Sequence, residues 1–377
     1  MSPITITGGR VLLPEGEHVA DLCLADGRIA ALDGATRGMR LDAAGLLVLP
    51  GIVDIHGDAF ERQIQPRPGV DFPVPLALRD TEAQLLANGI TTAFHGVTLS
   101  WEPGLRSLAM WRTLVDALAG GEWICDMRVH LRWEAFNLDA LDTALDDIAA
   151  GRVHLVAFND HTPSILRKLA DPVAGAKFSE RAGMKLDVFR AMAERVAARA
   201  PSVQAGLDRV AAAARAREIP IASHDDATIA ERDGFRMRGA RICEFPMAED
   251  VASAARAAGD AVVMGSPNVV RGRSHIGWAS AARLAEAGTC TVLSSDYYYP
   301  AMLQAGLTLS APMGLAAAWS LIAAAPADAA RLSDRGRIAE GLRADVILVG
   351  PEARRVLATI AGGRLAYLSA EGAARLG

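Results

Sequence analysis

The sequence predicts a (β/α)8 barrel of the TIM type carrying a small β-sandwich domain formed by both chain termini. Three observations lead there. Buried-strand patterns alternate with amphipathic helical ones through the middle of the chain, both ends read instead as short strands joined by turns, and 377 residues suit a barrel of roughly 250 residues plus an accessory module.

In chain order, Ile4 to Leu32 alternate apolar and polar positions, broken at Gly8-Gly9, Pro14-Glu15-Gly16 and Asp26-Gly27, as short strands joined by turns would be. Eight strand candidates follow: Leu47–His56, Thr91–Val97, Met127–Trp133, Val153–Asn159, Ile219–His224, Ile242–Met247, Ala261–Ser266 and Thr291–Ser295. Helical stretches such as Asp80–Ala87 and Ala248–Ala258 lie between them, and eight units favour a closed barrel over an open sheet. His161 to Gly183 reads as a long loop and Leu186 to Arg217 as one long helix, while the Ala-rich Gly314 to Leu332 supplies the final helix. Gly336 to Leu368 returns to short strands with glycine turns. Neither end alone has enough strands for a stable sandwich, so residues 1–46 and 336–377 are expected to pair into one unit around a barrel of residues 47–335.

Composition narrows the function. The hydrophobic share of 51% against 22% charged residues is that of a globular chain. A net charge of −5 argues against nucleic acid as a partner, since phosphate backbones are held by clustered Lys and Arg. Cys23, Cys125, Cys243 and Cys290 are scattered without C-x-x-C spacing, which suggests neither a disulfide framework nor a thiolate metal site and fits a reducing compartment. With no signal-peptide pattern at the start and no apolar run of about 18 residues, a soluble cytoplasmic protein without membrane contact is expected.

Barrel enzymes carry their reacting groups at the C-terminal ends of the strands. Strand one ends Asp54-Ile55-His56-Gly57-Asp58, where simple alternation puts Asp54, His56 and Asp58 on one side, and His56 and Asp58 can share a metal. Strand three puts His130, Arg132 and Glu134 on one side, and Glu134 could bridge two ions. The other ends offer Asn159-Asp160-His161, His224-Asp225-Asp226, Glu244 and Asp296. The metal set read from this pattern is His56, Asp58, Glu134, His224 and Asp296, with Asp160, His161 and Glu244 undecided. Oxygen and imidazole donors without thiolates suit one or two divalent ions, zinc foremost, with manganese or iron reasonable. Such an ion activates water, and Asp296 is the candidate general base.

Blander readings cover other residues. Asp225, Asp226 and Thr228 fit helix caps, His18 and His154 fit solvent or core roles, and Tyr297, Tyr298 and Tyr299 fit packing. His95 is a substrate contact or a supporting residue. After strand seven, Gly265 to His275 combines small residues with Arg271, Arg273, Ser274 and Asn268, and reads as an anion cradle, because loops after strands seven and eight of such barrels commonly hold phosphate. His275 joins Asp296 as a catalytic candidate there, and Arg67 is a further cationic substrate contact, with Lys177 and Lys185 weaker ones.

The terminal strand sets, the LPGIVDIHGD strand end and the ADVILV strand resemble the amidohydrolase superfamily across the whole chain. More narrowly, HGDAFE, QPRPGVDFP, GITTAFH, FNDHTP, SHDDAT, CEFP, MGSPNVVRGRSH and SSDYYYP look like the phosphonate-metabolism diphosphatases of the carbon–phosphorus lyase pathway. That resemblance implies metal-dependent hydrolysis of a phosphorylated small molecule, α-D-ribose 1-methylphosphonate 5-triphosphate, to the 5-phosphate and pyrophosphate. His56-Gly57-Asp58 stands where the superfamily usually has His-x-His, Glu244 where many members have a histidine, and no lysine ends strand four. An amidase or deaminase on another small substrate is the first alternative reading, a catalytically silent barrel acting as an interaction protein the second. A homo-oligomer is expected on general grounds.

Overall fold

The computed structural model describes residues 2–34, 38–67, 69–272 and 280–377. Strands β1 (Ile4–Leu13), β2 (Gly16–Ala25), β3 (Arg28–Leu32), β4 (Met39–Asp42) and β5 (Leu47–Pro50) open the chain. β6 (Ile52–Gly57), β7 (Ile90–Leu99), β8 (Asp126–Glu134), β9 (Leu155–Asn159), β10 (Ile221–His224), β11 (Ile242–Glu244), β12 (Ala261–Gly265) and β13 (Val292–Ser294) follow, and β14 (Val346–Gly350), β15 (Arg355–Ala361) and β16 (Arg364–Leu368) close it.

β6 to β13 pair in sequence order as parallel neighbours, so all eight expected barrel strands are present. The last strand meets the first through a bridge between Gly57 and Asp296: the Asp296 amide donates to the His56 carbonyl at 3.0 Å and the Asp58 amide to the Asp296 carbonyl at 2.9 Å. The barrel interior is filled by side chains such as Ile55, Phe94, Ala157, Ala222, Ile242 and Val263, which form an apolar plug. The alternate residues, such as Val97, Val129, Leu131, Phe158 and Met264, pack outward under the helices.

Both chain ends join one sheet in the order β16-β15-β14-β5-β1-β2-β3, with β4 also paired to β1. β5, expected as the start of barrel strand one, belongs to this sheet instead, pairing antiparallel with β14 and parallel with β1. Its four residues are buried on both faces: Val48 faces the core of the terminal sheet, Leu47 and Leu49 face the barrel. β14 alternates likewise, Val346 and Leu348 one way, Ile347 and Val349 the other. That double burial is why both segments read as unbroken apolar runs. Gly8-Gly9 does not break β1; it makes a bulge where the register with β2 shifts.

The helical expectations change more. The segment read as a long loop holds two helices, Thr162–Leu169 and Pro172–Arg181, and the long helix is two, Leu186–Ala197 and Ala200–Ala216. Pro201 explains the break, since its ring lacks an N–H and would clash with the carbonyl of Ala197 in a continuous helix. The final helix is also two pieces, Leu315–Ser320 and Ala324–Ala329. The helices of 162–197 bury a cluster of their own, Ile165, Leu169, Phe189 and Ala193, against Trp101 from the β7 side. Among the described residues no helix is long and apolar enough to cross a membrane. All four cysteines are buried and free.

Candidate metal centre at the barrel mouth

Above the apolar plug the inward-facing positions turn polar. On β8 the alternation holds, so His130, Arg132 and Glu134 face inward while Val129, Leu131 and Trp133 pack outward. On β6 it fails. The pairing with β7 runs Asp54 to Ala93 and then Gly57 to His95, three residues against two, and this bulge reverses the faces beyond it. Asp54 therefore does not share a side with His56: its carboxylate accepts from the Ser295 amide at 3.0 Å and the Ser295 hydroxyl at 2.5 Å, tying β6 to the end of β13. The Gly57 Cα faces the same way, and a Cβ there would lie 2.7 Å from that carboxylate. His56 instead turns into the mouth.

There, His56 Nδ1 lies 3.0 Å from Glu244 Oε2, and His130 Nε2 lies 3.8 Å from the same oxygen, all three side chains being fully buried. His130 Nδ1 donates to the Ile55 carbonyl at 3.1 Å, which fixes the tautomer and leaves the Nε2 lone pair facing inward. His130 Nε2 and Glu244 Oε1 have no hydrogen-bond partner among the described residues. Arg132 donates from Nη2 to His224 Nε2 at 3.1 Å, and its Nη1 lies 3.5 Å from Asp58 Oδ2. His224 Nδ1 lies 3.2 Å from Asp225 Oδ2, and His161 Nε2 lies 3.8 Å from that oxygen.

Ligand atoms of His56, His224 and Glu244 all lie within 4.8 Å of one another, and so do those of His161, His224 and Asp225. Buried, partly unpartnered nitrogen and oxygen donors of this kind fit a divalent cation. Electrostatics prepare them for it. Burial lowers His56 well below its ordinary value, His224 to about 4 and His130 to about 3, so all three imidazoles are neutral with lone pairs available. Burial pushes Glu244 upward, and burial with Glu61 nearby pushes Asp58 up to about 6. Asp296 is pushed up to about 7 by burial and by Asp58. Burial would also raise Asp225, yet His224 and His161 beside it hold its carboxyl below the usual range.

The expected site residues divide accordingly. His56 and His224 lie in the centre, Asp58 joins it through Arg132, and Asp296 stands at the barrel seam beside it in left-handed backbone, φ 54°. Glu134 is engaged elsewhere: Oε1 accepts from the Thr162 amide at 3.3 Å and its hydroxyl at 2.9 Å, and the His161 amide donates to both oxygens. It caps the start of helix Thr162–Leu169, and the Trp101 indole donates to the same Thr162 hydroxyl at 2.9 Å. His95 faces outward and packs edge-on against Phe60, ring centroids 5.1 Å apart, which removes it from the mouth.

The expected anion cradle begins as a short helix, Ser266–Arg271. Asn268 accepts the Ala281 amide at 3.1 Å, and exposed Arg271 donates to the Tyr297 hydroxyl at 3.3 Å. Arg62 lies over the same tyrosine ring, 5.9 Å from its centroid, so two guanidinium groups contact Tyr297, the residue after Asp296. Arg67 is exposed in a turn with Val70. Tyr299 packs in the core as expected. Arg273, Ser274 and His275 lie outside the described residues, while Lys177 falls within the helix Pro172–Arg181 and Lys185 directly before the helix Leu186–Ala197.

Glu244 and His161, undecided from sequence, and Asp225, read there as a cap, stand in the centre. Thr228 does cap its helix, in a reciprocal capping box with Glu231, which leaves Asp225 free to face the two histidines. Position at the C-terminal end of a β-strand was the signal common to Glu244, the last residue of β11, and Asp225, directly after β10. Asp226, by contrast, is engaged by Ser223, Arg232 and Cys243.

No family model matches the chain. Over 322 residues it is 34% identical to the alpha-D-ribose 1-methylphosphonate 5-triphosphate diphosphatase of Escherichia coli strain K12, covering 82% of this chain and 84% of that protein. Among solved structures, the 5-methylcytosine deaminase of Klebsiella pneumoniae liganded with 5-fluorocytosine superposes with a TM-score of 0.64 at 16% identity, over 97% of each chain. Molinate hydrolase superposes with a TM-score of 0.64 at 14% identity, over 97% of this chain and 94% of that one. At such identities these two report a shared fold.

Proposed function

We propose that this chain, which belongs to the family of the alpha-D-ribose 1-methylphosphonate 5-triphosphate diphosphatase, is a metal-dependent hydrolase that splits that triphosphate into the 5-phosphate and pyrophosphate. The observation that carries the reading is the 34% identity maintained over 82% of the chain. A mouth whose candidate ligand atoms are all nitrogen and oxygen supports it, as do the contacts of Arg62 and Arg271 with Tyr297, next in sequence to Asp296.

His56 and Glu244 would hold the cation, with His130 and His224 adjoining, and zinc is the ion proposed for such donors. What a divalent cation supplies in such a site is a lowered pKa for water and polarisation of a phosphoryl oxygen. Asp296 takes the proton as water attacks, a role suited to a buried carboxylate whose proton affinity burial has raised toward neutrality. Arg132 holds His224 and Asp58 in place across the mouth. Arg271 and Arg62 offer donors to the outer phosphates, where a guanidinium can meet two oxygens at once.

Pyrophosphate release from α-D-ribose 1-methylphosphonate 5-triphosphate by zinc- or manganese-loaded protein tests this, with ATP and the Asp296→Asn variant alongside. Release that requires the methylphosphonate ribose and falls by about 10²–10⁴-fold in the variant is expected. No release by fully metallated wild type overturns the substrate assignment and turns the search to amide or deaminase substrates.

A further inference from the structure

At the end of the barrel opposite the mouth, where the strands begin, a cavity of about 200 Å³ lies beside Ile221 and Ile242, the first residues of β10 and β11. Three arginines line it, each from a different segment. Arg215 lies in the last turn of helix Ala200–Ala216, Arg241 directly before β11, and Arg331 just past helix Ala324–Ala329. The chain as a whole carries a formal net charge of −5, so this small space runs against its overall sign.

The arginines are anchored without being neutralised. Arg215 Nη1 donates to the Arg238 carbonyl, and Arg331 Nη1 donates to the Glu218 carbonyl at 2.9 Å. A carbonyl fixes a guanidinium in place but leaves its full charge. A Cβ at Gly239, whose φ is 97°, would lie 3.1 Å from Arg215 Cδ, so this glycine both makes the turn and clears a path for the arginine stem. Among the described residues Arg215 and Arg331 make no further hydrogen bond, which leaves Nε and Nη2 of each for another acceptor. Arg241 Nη1 lies 3.6 Å from Asp260 Oδ1, yet the other oxygen of that carboxylate is held by Arg232 and Arg236. One acid shared among three guanidinium groups does not cancel Arg241. Glu218 also lines the cavity, and among the described residues its carboxylate makes no ion pair with any of the three arginines.

We infer that this cavity is a binding site for a phosphate group, separate from the metal centre at the mouth. Guanidinium groups with unused N–H donors match phosphate oxygens in charge and in planar geometry. A monoanionic carboxylate would leave most of the charge unanswered, whereas a dianionic phosphate answers it. Volume sets the upper limit: sites for drug-sized molecules run to about 300–1,000 Å³, and about 200 Å³ suits inorganic phosphate or one phosphate at the end of a small metabolite. Bound there, the anion joins the ends of two helical segments to the starts of β10 and β11, whose far ends carry His224 and Glu244. The inference concerns the opposite face of the barrel and does not depend on the reaction proposed for the mouth.

Isothermal titration calorimetry of the zinc-loaded protein, freed of excess ion, tests it with orthophosphate, pyrophosphate and ribose 5-phosphate, which distinguish an inorganic from a sugar-borne source. The mouth is proposed to hold phosphates too, so variants at the two ends are compared. Arg331→Gln and Arg215→Gln alter the cavity, and a double variant, Arg62→Gln with Arg271→Gln, alters the mouth. A binding component that survives in the mouth variant and weakens by at least about tenfold in each cavity variant is expected. Its affinity should fall as salt is raised, because the arginines are exposed. Both cavity variants are expected to keep wild-type zinc content and wild-type turnover. Absence of binding by all three ligands at several millimolar overturns the inference, and so does binding that disappears in the mouth variant while both cavity variants match wild type. Neither result bears on the triphosphate reaction, and failure of that reaction would leave the calorimetry unchanged. The two cavity variants remove arginines from different segments, so one that failed to fold would leave the other to decide.

Discussion

Glu134 illustrates how a side chain's partners, more than its place in a strand, set its role. It faces inward among ligand types, yet both oxygens are taken by the start of helix Thr162–Leu169. Glu134→Ala is therefore expected to cost about 1–3 kcal/mol by leaving those donors unmet, with zinc content unchanged. Loss of zinc on that substitution would return Glu134 to the ligand set. His95 gives a second residue-level prediction. Burial lowers its pKa to about 4, while an unfolded imidazole titrates near 6.5. Between those values the unfolded chain binds a proton that the folded one refuses. Stability is thus fully present above about pH 6.5 and drains away as the pH falls toward 4. Relative to His95→Leu, wild type is expected to lose about 2 kcal/mol more between pH 7.5 and pH 5 in denaturant titrations. Parallel pH slopes for the two proteins would remove His95 as the cause.

Among elements, the bulge in β6 and the helices of 162–197 were the least legible in the sequence, for different reasons. Alternation is a local rule, and the extra residue between Asp54 and Gly57 shows only in pairing with β7, so the sequence pattern grouped Asp54 with His56 when the strand had already turned it toward Ser295. Residues 161–183 carry an apolar pattern too short and too interrupted by polar residues to announce helices. Those helices exist because Ile165, Leu169 and Phe189 bury one another against Trp101. Eight barrel strands and most strand-end residues were legible, because buried parallel strands and the polar residues just after them follow directly from the architecture. The segment's dependence on tertiary contacts can be tested through the Trp101–Thr162–Glu134 chain of hydrogen bonds. Thr162→Val removes the hydroxyl that links them and is expected to speed proteolysis within 162–197 several-fold while the rest of the barrel stays resistant; Thr162→Ser should restore protection. Cleavage rates identical for Thr162→Val and wild type would show that apolar packing alone holds the segment.

Across the whole molecule, the terminal sheet and the barrel share side chains instead of merely touching. β5 and β14 send alternate residues to the two cores, and Thr359 of β15 donates to the Leu86 carbonyl on the barrel helix Val74–Ala87 at 2.7 Å, in full burial. Gly89, at the start of β7, sits where a Cβ would meet Ile347 at 2.9 Å, so the backbone of the barrel approaches the sheet directly. Two units joined by doubly buried strands cannot separate without exposing both cores. Unfolding should therefore be a single cooperative transition in calorimetry. Leu49→Ala, on the barrel side of β5, and Val48→Ala, on the sheet side, should each lower that one transition, the leucine by about 2–5 kcal/mol and the valine by less, since fewer methyl groups are lost. If the two substitutions instead split the trace, each shifting a different peak, the sheet and barrel fold separately. The hydrogen bonds between Asp54 and Ser295 would then have to hold β6 in the barrel without help from β5, two residues before it.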